Sequence, residues 1–253
     1  MSAEERSEIF SHYFAIFPWQ ELPERAEGFD FGCGSGRWAA LVAPRVGKLN
    51  CVDASRRALD VAGRTLSGLS NVQLILATSE SINLEEGSQD FGYSLGVLHH
   101  IPDTSGALRD CVGLLKSGAP FLVYLYYDFE NRTILFRMMW RLSDLLRRAV
   151  CKLPGRIRDL CTDVIAATIY FPLARTAGLL HFLGVNEEGL PLAYYRTRSF
   201  YTMRTDARDR FGTPLEKRFS KAAIAAMMSE AGLEGIEFSN APPYWCAVGR
   251  KRR

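Results

Sequence analysis

The sequence predicts a doubly wound α/β domain, a mainly parallel sheet with helices on both faces, interrupted late in the chain by a mainly helical insertion. Three observations carry this. Short, continuously apolar runs alternate with helix-patterned stretches between residues 26 and 127, the signature of strands buried on both faces. Gly32, Gly34 and Gly36 crowd the end of the first run. About ninety residues of helical patterning then separate the fifth strand from the sixth, too many for a loop.

The elements follow in order. Residues 26–31 (AEGFDF) form the first strand and 37–46 the helix after the glycines. KLNCVDAS, 48–55, is a buried strand that ends at Asp53, and Ser55 caps the helix RRALDVAGRTL. NVQLILAT (71–78) is the third strand and DFGYSLGVLHH (90–100) the fourth. TSGALRDCVGLLK (104–116) is a helix, and APFLVYLYY (119–127) a fully apolar fifth strand. Residues 128–219 are the insertion, expected to be a helical lid over the domain formed by 1–127 and 220–253. A helix at 220–233 and strands at 235–240 and 244–252 close the chain, joined by Ala241-Pro242-Pro243.

The 253 residues are 47% hydrophobic and 23% charged, which excludes a disordered or fibrous chain. Net charge is only +3, unevenly placed: residues 1–126 carry −5, residues 127–219 carry +6 with 16 Lys/Arg against 10 Asp/Glu. The middle third is therefore a different kind of surface. Without a broad basic face, nucleic acid is not expected as a partner. Six cysteines lie scattered without metal spacing, so reduced thiols are expected, with no disulfide and no metal. The acidic N-terminus is unlike a signal peptide. The longest apolar run, Val164–Ala174, holds Pro172 and stops at Arg175, too short to span a bilayer. A cytoplasmic protein is expected.

Each ordered glycine costs roughly 0.5–1 kcal/mol relative to alanine, so three together imply a tight turn or a ligand against bare backbone. Two ligands suit a glycine turn after the first strand. A dinucleotide site wants GxGxxG/A with an acid about twenty residues on, which Gly34-Ser35-Gly36-Arg37-Trp38-Ala39 satisfies with a permissive alanine. The register with the strand favours a different ligand. Asp30 immediately before the glycines suits a cationic amino-acid group and is awkward beside a pyrophosphate. Asp53, at the end of strand two, can accept both hydroxyls of a ribose.

Asp30-Phe31-Gly32-Cys33-Gly34-Ser35-Gly36 with Asp53, the segment Gln89-Asp90-Phe91 leading to Leu95-Gly96-Val97-Leu98-His99-His100-Ile101-Pro102-Asp103, and Leu115-Lys116-Ser117-Gly118 together resemble the class I S-adenosylmethionine-dependent methyltransferases. The resemblance covers about residues 29–127 and 218–250. It implies a Rossmann-like seven-stranded sheet with the last strand antiparallel, and S-adenosylmethionine as cofactor. It places Gly32, Cys33, Gly34 and Gly36 against the amino-acid portion, Asp30 near its ammonium, Asp53 and Ala54 at the ribose, and Leu95 and Gly96 beside the cofactor. Many relatives hold the adenine amino group with an acid after strand three. Here Thr78 stands at that position, which leaves Ser79 or Glu80 for the role.

His100, near neutral pKa and at the end of strand four, is the candidate base for a hydroxyl acceptor; His99 is the weaker candidate. Asp128 and Glu130 follow strand five, where either could be a base or a metal ligand, but the favoured reading is solvated loop acids. "NAPPY", 240–244, has the look of a catalytic motif but joins two strands, and reads as a turn. The basic amphipathic helix 133–150 can mark a membrane surface, although Asp144 interrupts the basic face and packing on the sheet domain is favoured. Residues 194–210 interleave aromatics with arginines, suited to a sugar or an anionic ligand. Tyr195, Arg196, Arg198 and Tyr201, with Tyr127, are the acceptor-binding candidates. The expected activity is methyl transfer to a small-molecule or glycan acceptor, at oxygen. The alternatives are an NAD(P)-linked oxidoreductase and a non-catalytic binding protein of the same fold.

Overall fold

The computed structural model describes residues 2–130, 133–185, 190–242 and 244–253. In chain order the elements are α1 (Ala3–Tyr13), β1 (Glu27–Phe31), α2 (Ala39–Val42), β2 (Lys48–Asp53), α3 (Arg56–Thr65), β3 (Val72–Leu76), β4 (Phe91–Leu95), α4 (Thr104–Gly113) and β5 (Pro120–Tyr124). Then come α5 (Ile134–Val150), α6 (Gly155–Ile165), α7 (Phe171–Phe182), α8 (Phe200–Gly212), α9 (Lys221–Glu230), β6 (Leu233–Phe238) and β7 (Cys246–Lys251).

Two compact units result, Arg6–Asp128 with Lys217–Arg253, and Phe129–Glu216 with Met1–Glu5. The first is the core. Its seven strands run in the order β3-β2-β1-β4-β5-β7-β6. β1 to β5 are parallel, whereas β7 is antiparallel to both β5 and β6. The order reverses between β1 and β4, and open α/β sheets hold their ligands at the carboxyl ends of the strands beside such a switch. Phe29, Phe91, Tyr93 and Phe121 are fully buried in the sheet, each stabilising the fold by roughly 1.5–3 kcal/mol.

The core is slightly larger than its sequence boundaries. Asp128 and Lys217–Phe219 belong to it because a short parallel bridge pairs Tyr127 with Phe219. Phe219 N–H donates to the Tyr126 carbonyl at 2.9 Å, and Asp128 N–H donates to the Phe219 carbonyl at 3.1 Å. The expected strand 90–100 stops at Leu95, because Gly96 turns left-handed (φ 78°) and Leu98–His100 coil into one 3-10 turn.

The second unit is helical. Ile165, Ala166, Tyr170 and Ala174 pack with Met203, Ala207 and Phe211 in its core. Glu5 caps α8 by accepting Ser199 N–H at 3.0 Å and Thr202 Oγ1 at 2.8 Å, which draws residues 2–5 into this unit. Pro172 does not end the apolar helix. Proline lacks an N–H and crowds the carbonyl four residues back; the turn before it, Ala166–Tyr170, widens into a π-helix and the helix continues. Gly155–Phe182 is thus one helical stretch of 28 residues, long and apolar enough to cross a membrane by length and composition, a correction to the shorter run read from sequence.

Candidate functional site

The carboxyl ends of β1, β2 and β4 assemble the site. After Phe31 the chain doubles back. Gly32 N–H and Cys33 N–H both donate to the Val52 carbonyl, at 2.8 and 3.0 Å, and Gly36 N–H donates to the Cys33 carbonyl at 2.9 Å. Such a turn demands left-handed backbone, and Gly32, Gly34 and Gly36 take φ of 80°, 55° and 76°.

The three glycines differ in purpose. A methyl group on Gly32 would collide with the Val97 side chain, and one on Gly36 would stand 2.8 Å from Leu66. Those two are bare so that the loop can pack on its neighbours. A methyl on Gly34 would meet nothing within 4 Å, and one on Gly96 would first meet Tyr124 at 3.9 Å. Gly34 and Gly96 therefore present bare backbone to open space.

Asp53 ties this loop to β2. Its Oδ2 accepts Gly34 N–H at 2.9 Å and its Oδ1 accepts Ser55 N–H at 2.8 Å. Each carboxylate oxygen keeps a second lone pair, enough to receive two hydroxyls. Ala54 beside it is exposed. Asp30 is 2% exposed and accepts Tyr93 Oη at 2.9 Å. Burial lifts its carboxyl to about pKa 7; the Tyr93 hydrogen bond pulls against that rise, and the Asp53 charge adds to it. Cys33 is buried, its thiol held protonated by its contact with Cys51 and by burial, so it fills space and is no nucleophile.

Ser79 lies half-buried in the 3-10 turn Ser79–Ser81 after β3, beside an exposed Glu80. Reciprocal hydrogen bonds between Thr78 and Ser81 hold that turn. Leu95 is buried, and Gly96 N–H donates to the Tyr124 carbonyl at 3.1 Å.

His100 stands half-buried on the turn after β4, its N–H donating to the Val97 carbonyl at 2.9 Å. His99 does not share that surface. It is fully buried, its ring stacked on Tyr126 at a 3.8 Å centroid distance. Lys217–Phe219 braces His99 and the turn that follows it, a role missed in the sequence. Lys217 N–H donates to the His99 carbonyl at 3.1 Å, and its ammonium bonds the Pro102 carbonyl. The Arg218 guanidinium sits 4.9 Å over the Tyr126 ring and donates to the Tyr127 carbonyl at 3.1 Å. The readable signal was Phe219, an apolar residue just before the Ser220 cap of α9.

Tyr127 is half-buried in the core unit against the rings of Tyr244 and Trp245. Asp128 and Glu130 are exposed. "NAPPY" does join β6 and β7 as a loop, with Pro243 outside the described residues. The other acceptor candidates lie in the helical unit. Tyr195 Oη donates to Asp206 at 2.9 Å, and the Arg198 guanidinium, buried, lies 5.0 Å over Tyr194. Arg196 is half-buried, and Tyr201 exposed below the Arg204 guanidinium. Arg208 pairs with Asp163 at 2.6 Å, a partner the sequence did not single out. No group of three or more metal-ligating side chains occurs among the described residues.

The methyltransferase-domain family matches residues 29–123, the stretch that carries the glycine turn, Asp53 and the histidine turn. Over these residues the chain carries a methyltransferase domain, which supports the class I S-adenosylmethionine-dependent family that the sequence resembles. An uncharacterised methyltransferase of Bacillus subtilis is 30% identical over 104 residues, 40% of this chain and 41% of the relative. A ubiquinone biosynthesis O-methyltransferase of Methylocella silvestris is 32% identical over 117 residues, 44% of each. The matches thus span under half of this chain and of those relatives. The solved structure of an O-methyltransferase family protein from Burkholderia thailandensis superposes with a TM-score of 0.58 at 13% identity, covering 98% of this chain and 56% of that one, a likeness of fold. The nicotinamide reading of the glycine turn goes no further.

Proposed function

We propose that this chain transfers the methyl group of S-adenosylmethionine to a small-molecule or glycan acceptor, at oxygen, with His100 as the base. The observation that carries the reading is the pairing of bare, left-handed Gly34 with Asp53 at the switch point of the sheet. The residues fit the cofactor. Gly34 and Gly96 leave room for close approach, Asp53 offers lone pairs to a ribose, and the buried Asp30 carboxyl, which the Arg37 charge offsets only in part, suits an approaching ammonium. When bound, the cofactor supplies an electrophilic sulfonium methyl that an acceptor lone pair displaces.

The chain's own residues have modest tasks in such a displacement. Alignment supplies much of the rate. A hydroxyl must also lose its proton, and the His100 imidazole takes it, contributing on the order of 10²–10⁴ in rate. The 32%-identical ubiquinone biosynthesis O-methyltransferase supports an oxygen acceptor. The helical unit, with Tyr195, Arg196, Arg198 and Tyr201, and Tyr127 of the core are assigned to acceptor choice.

Calorimetric titration with S-adenosylmethionine, on the wild type and on Asp53→Ala, tests the cofactor. Methyl transfer from the labelled cofactor to fractionated extract tests the reaction. Binding that ignores Asp53→Ala would sink the site, and label arriving on amines alone would sink the oxygen assignment.

A further inference from the structure

The helical unit carries an apolar surface that its own packing does not use. On α5, Ile134, Leu135, Met138, Leu142, Leu145 and Leu146 are 43–76% exposed. At 100° per residue these six fall within an arc of about 120°. The opposite face holds what the unit buries: Val150, and Asp144 bound to Arg147 at 2.6 Å and to Arg148 at 2.8 Å. Asp144 is the one acid on the helix, so its outward charge is positive. Arg137, Arg141 and Arg148 are exposed along one edge of the apolar arc. The next helix repeats the pattern, with Ile157, Leu160 and Val164 exposed at one-turn and two-turn spacing.

We propose that the helical unit docks on the surface of an anionic lipid bilayer, α5 lying in the interface with its leucines in the acyl boundary and its arginines at the headgroups. An apolar face with a cationic rim and no exposed acid is the composition of an interfacial helix. Arginine stems reach from an apolar bed to a polar layer, and each cation near an anionic surface adds attraction. Within residues 129–216, 14 Lys/Arg face 9 Asp/Glu, so the unit as a whole favours the same partner. A second copy fits less well, since face-to-face pairing brings two arginine edges together.

Spanning is not the mode. Ile165, Tyr170 and Ala174 of the long helical stretch pack on Met203 and Phe211, and Asp163 is bonded to Arg208 at 2.6 Å. A helix with a polar, protein-packed side is not surrounded by lipid. This inference stands apart from the methyl-transfer reading, and either can fail without the other.

Vesicle flotation of the full chain tests it, with phosphatidylcholine alone and with an equal mixture of phosphatidylcholine and phosphatidylglycerol. The protein should float with the mixed vesicles and be released by high salt. Leu142→Glu with Leu145→Glu should weaken flotation about tenfold, and Arg141→Ser roughly fivefold. These side chains are exposed, and an unchanged circular-dichroism melt verifies folding. Should the double variant fail that check, the arginine variant and the salt release decide alone. Equal flotation with neutral vesicles, a double variant that floats like wild type, or a dimer that floats with neither and is dissolved by the double variant would each overturn the proposal.

Discussion

Asp53 and Gly34 hold each other in place: Gly34 N–H donates to Asp53 Oδ2 at 2.9 Å across nineteen residues of sequence. The other carboxylate oxygen takes Ser55 N–H, so one side chain fixes both the glycine loop and the start of α3. Asp53→Ala removes both supports and, on the proposed function, the ribose contacts. Hydrogen bonds to a charged group contribute roughly 1.5–3 kcal/mol. S-adenosylmethionine affinity should fall by about ten- to a hundredfold, read by calorimetry, with a smaller loss for Asp53→Asn.

The glycines should separate by substitution. Gly32→Ala meets Val97 and should lower the melting temperature by several degrees, an effect on stability of about 1–3 kcal/mol. Gly34→Val enters open space. It bears only the left-handed penalty of about 1–2 kcal/mol, yet places a branched side chain in the proposed cofactor site. Calorimetry should find a folded protein that no longer binds. Equal loss of stability in both variants would contradict the distinction.

The Asp30 carboxyl titrates at about 7 in the fold against 3.8 unfolded. The folded state therefore binds the proton more tightly between those values, and stability falls as pH rises from about 4 to about 7. Asp30→Asn, which still accepts Tyr93 Oη, should lack this fall in thermal melts. Cofactor binding runs the opposite way. An ammonium wants the carboxylate, so wild-type affinity should drop below pH 7, by at most about tenfold per unit, and Asp30→Asn should bind weakly at every pH.

The two neighbouring histidines should part company. His100→Ala should lose 10²–10⁴ of turnover, an estimate of ordinary general-base help, with cofactor affinity unchanged. Wild-type turnover should fall on the acid side with a midpoint near a histidine pKa. His99→Ala, which deletes a fully buried ring stacked on Tyr126, should instead lower thermal stability. A mild His100→Ala defect with a flat pH profile would reassign the histidine to structure.

The order of strands, the glycine turn and its acid were legible in the sequence because they are local. An apolar run of five residues, a Gly-x-Gly-x-Gly turn and a serine cap each declare themselves within a few positions. The resemblance to a family added the antiparallel last strand. Other features needed the assembled chain. Strand β4 reads as eleven residues in sequence but stops after five, since Gly96 turns left-handed while β5 still claims its N–H. α8 was hidden because its pattern of aromatics and arginines lacks an apolar stripe; the cap from Ser199 and the distant Glu5 secure it.

What the sequence by itself determined, then, is the parallel sheet and the residues at its carboxyl ends, because strand burial and turn geometry are written in residue type and spacing. Tertiary structure alone decided which glycines are bare for packing and which face open space, since that depends on whether Val97, Leu66 or nothing lies opposite. It also decided that His99 is fully buried while His100 is only half-buried, and that Lys217–Phe219 returns to brace the His99 turn. Residues more than a hundred positions apart meet there, and no local pattern encodes which backbone groups they satisfy.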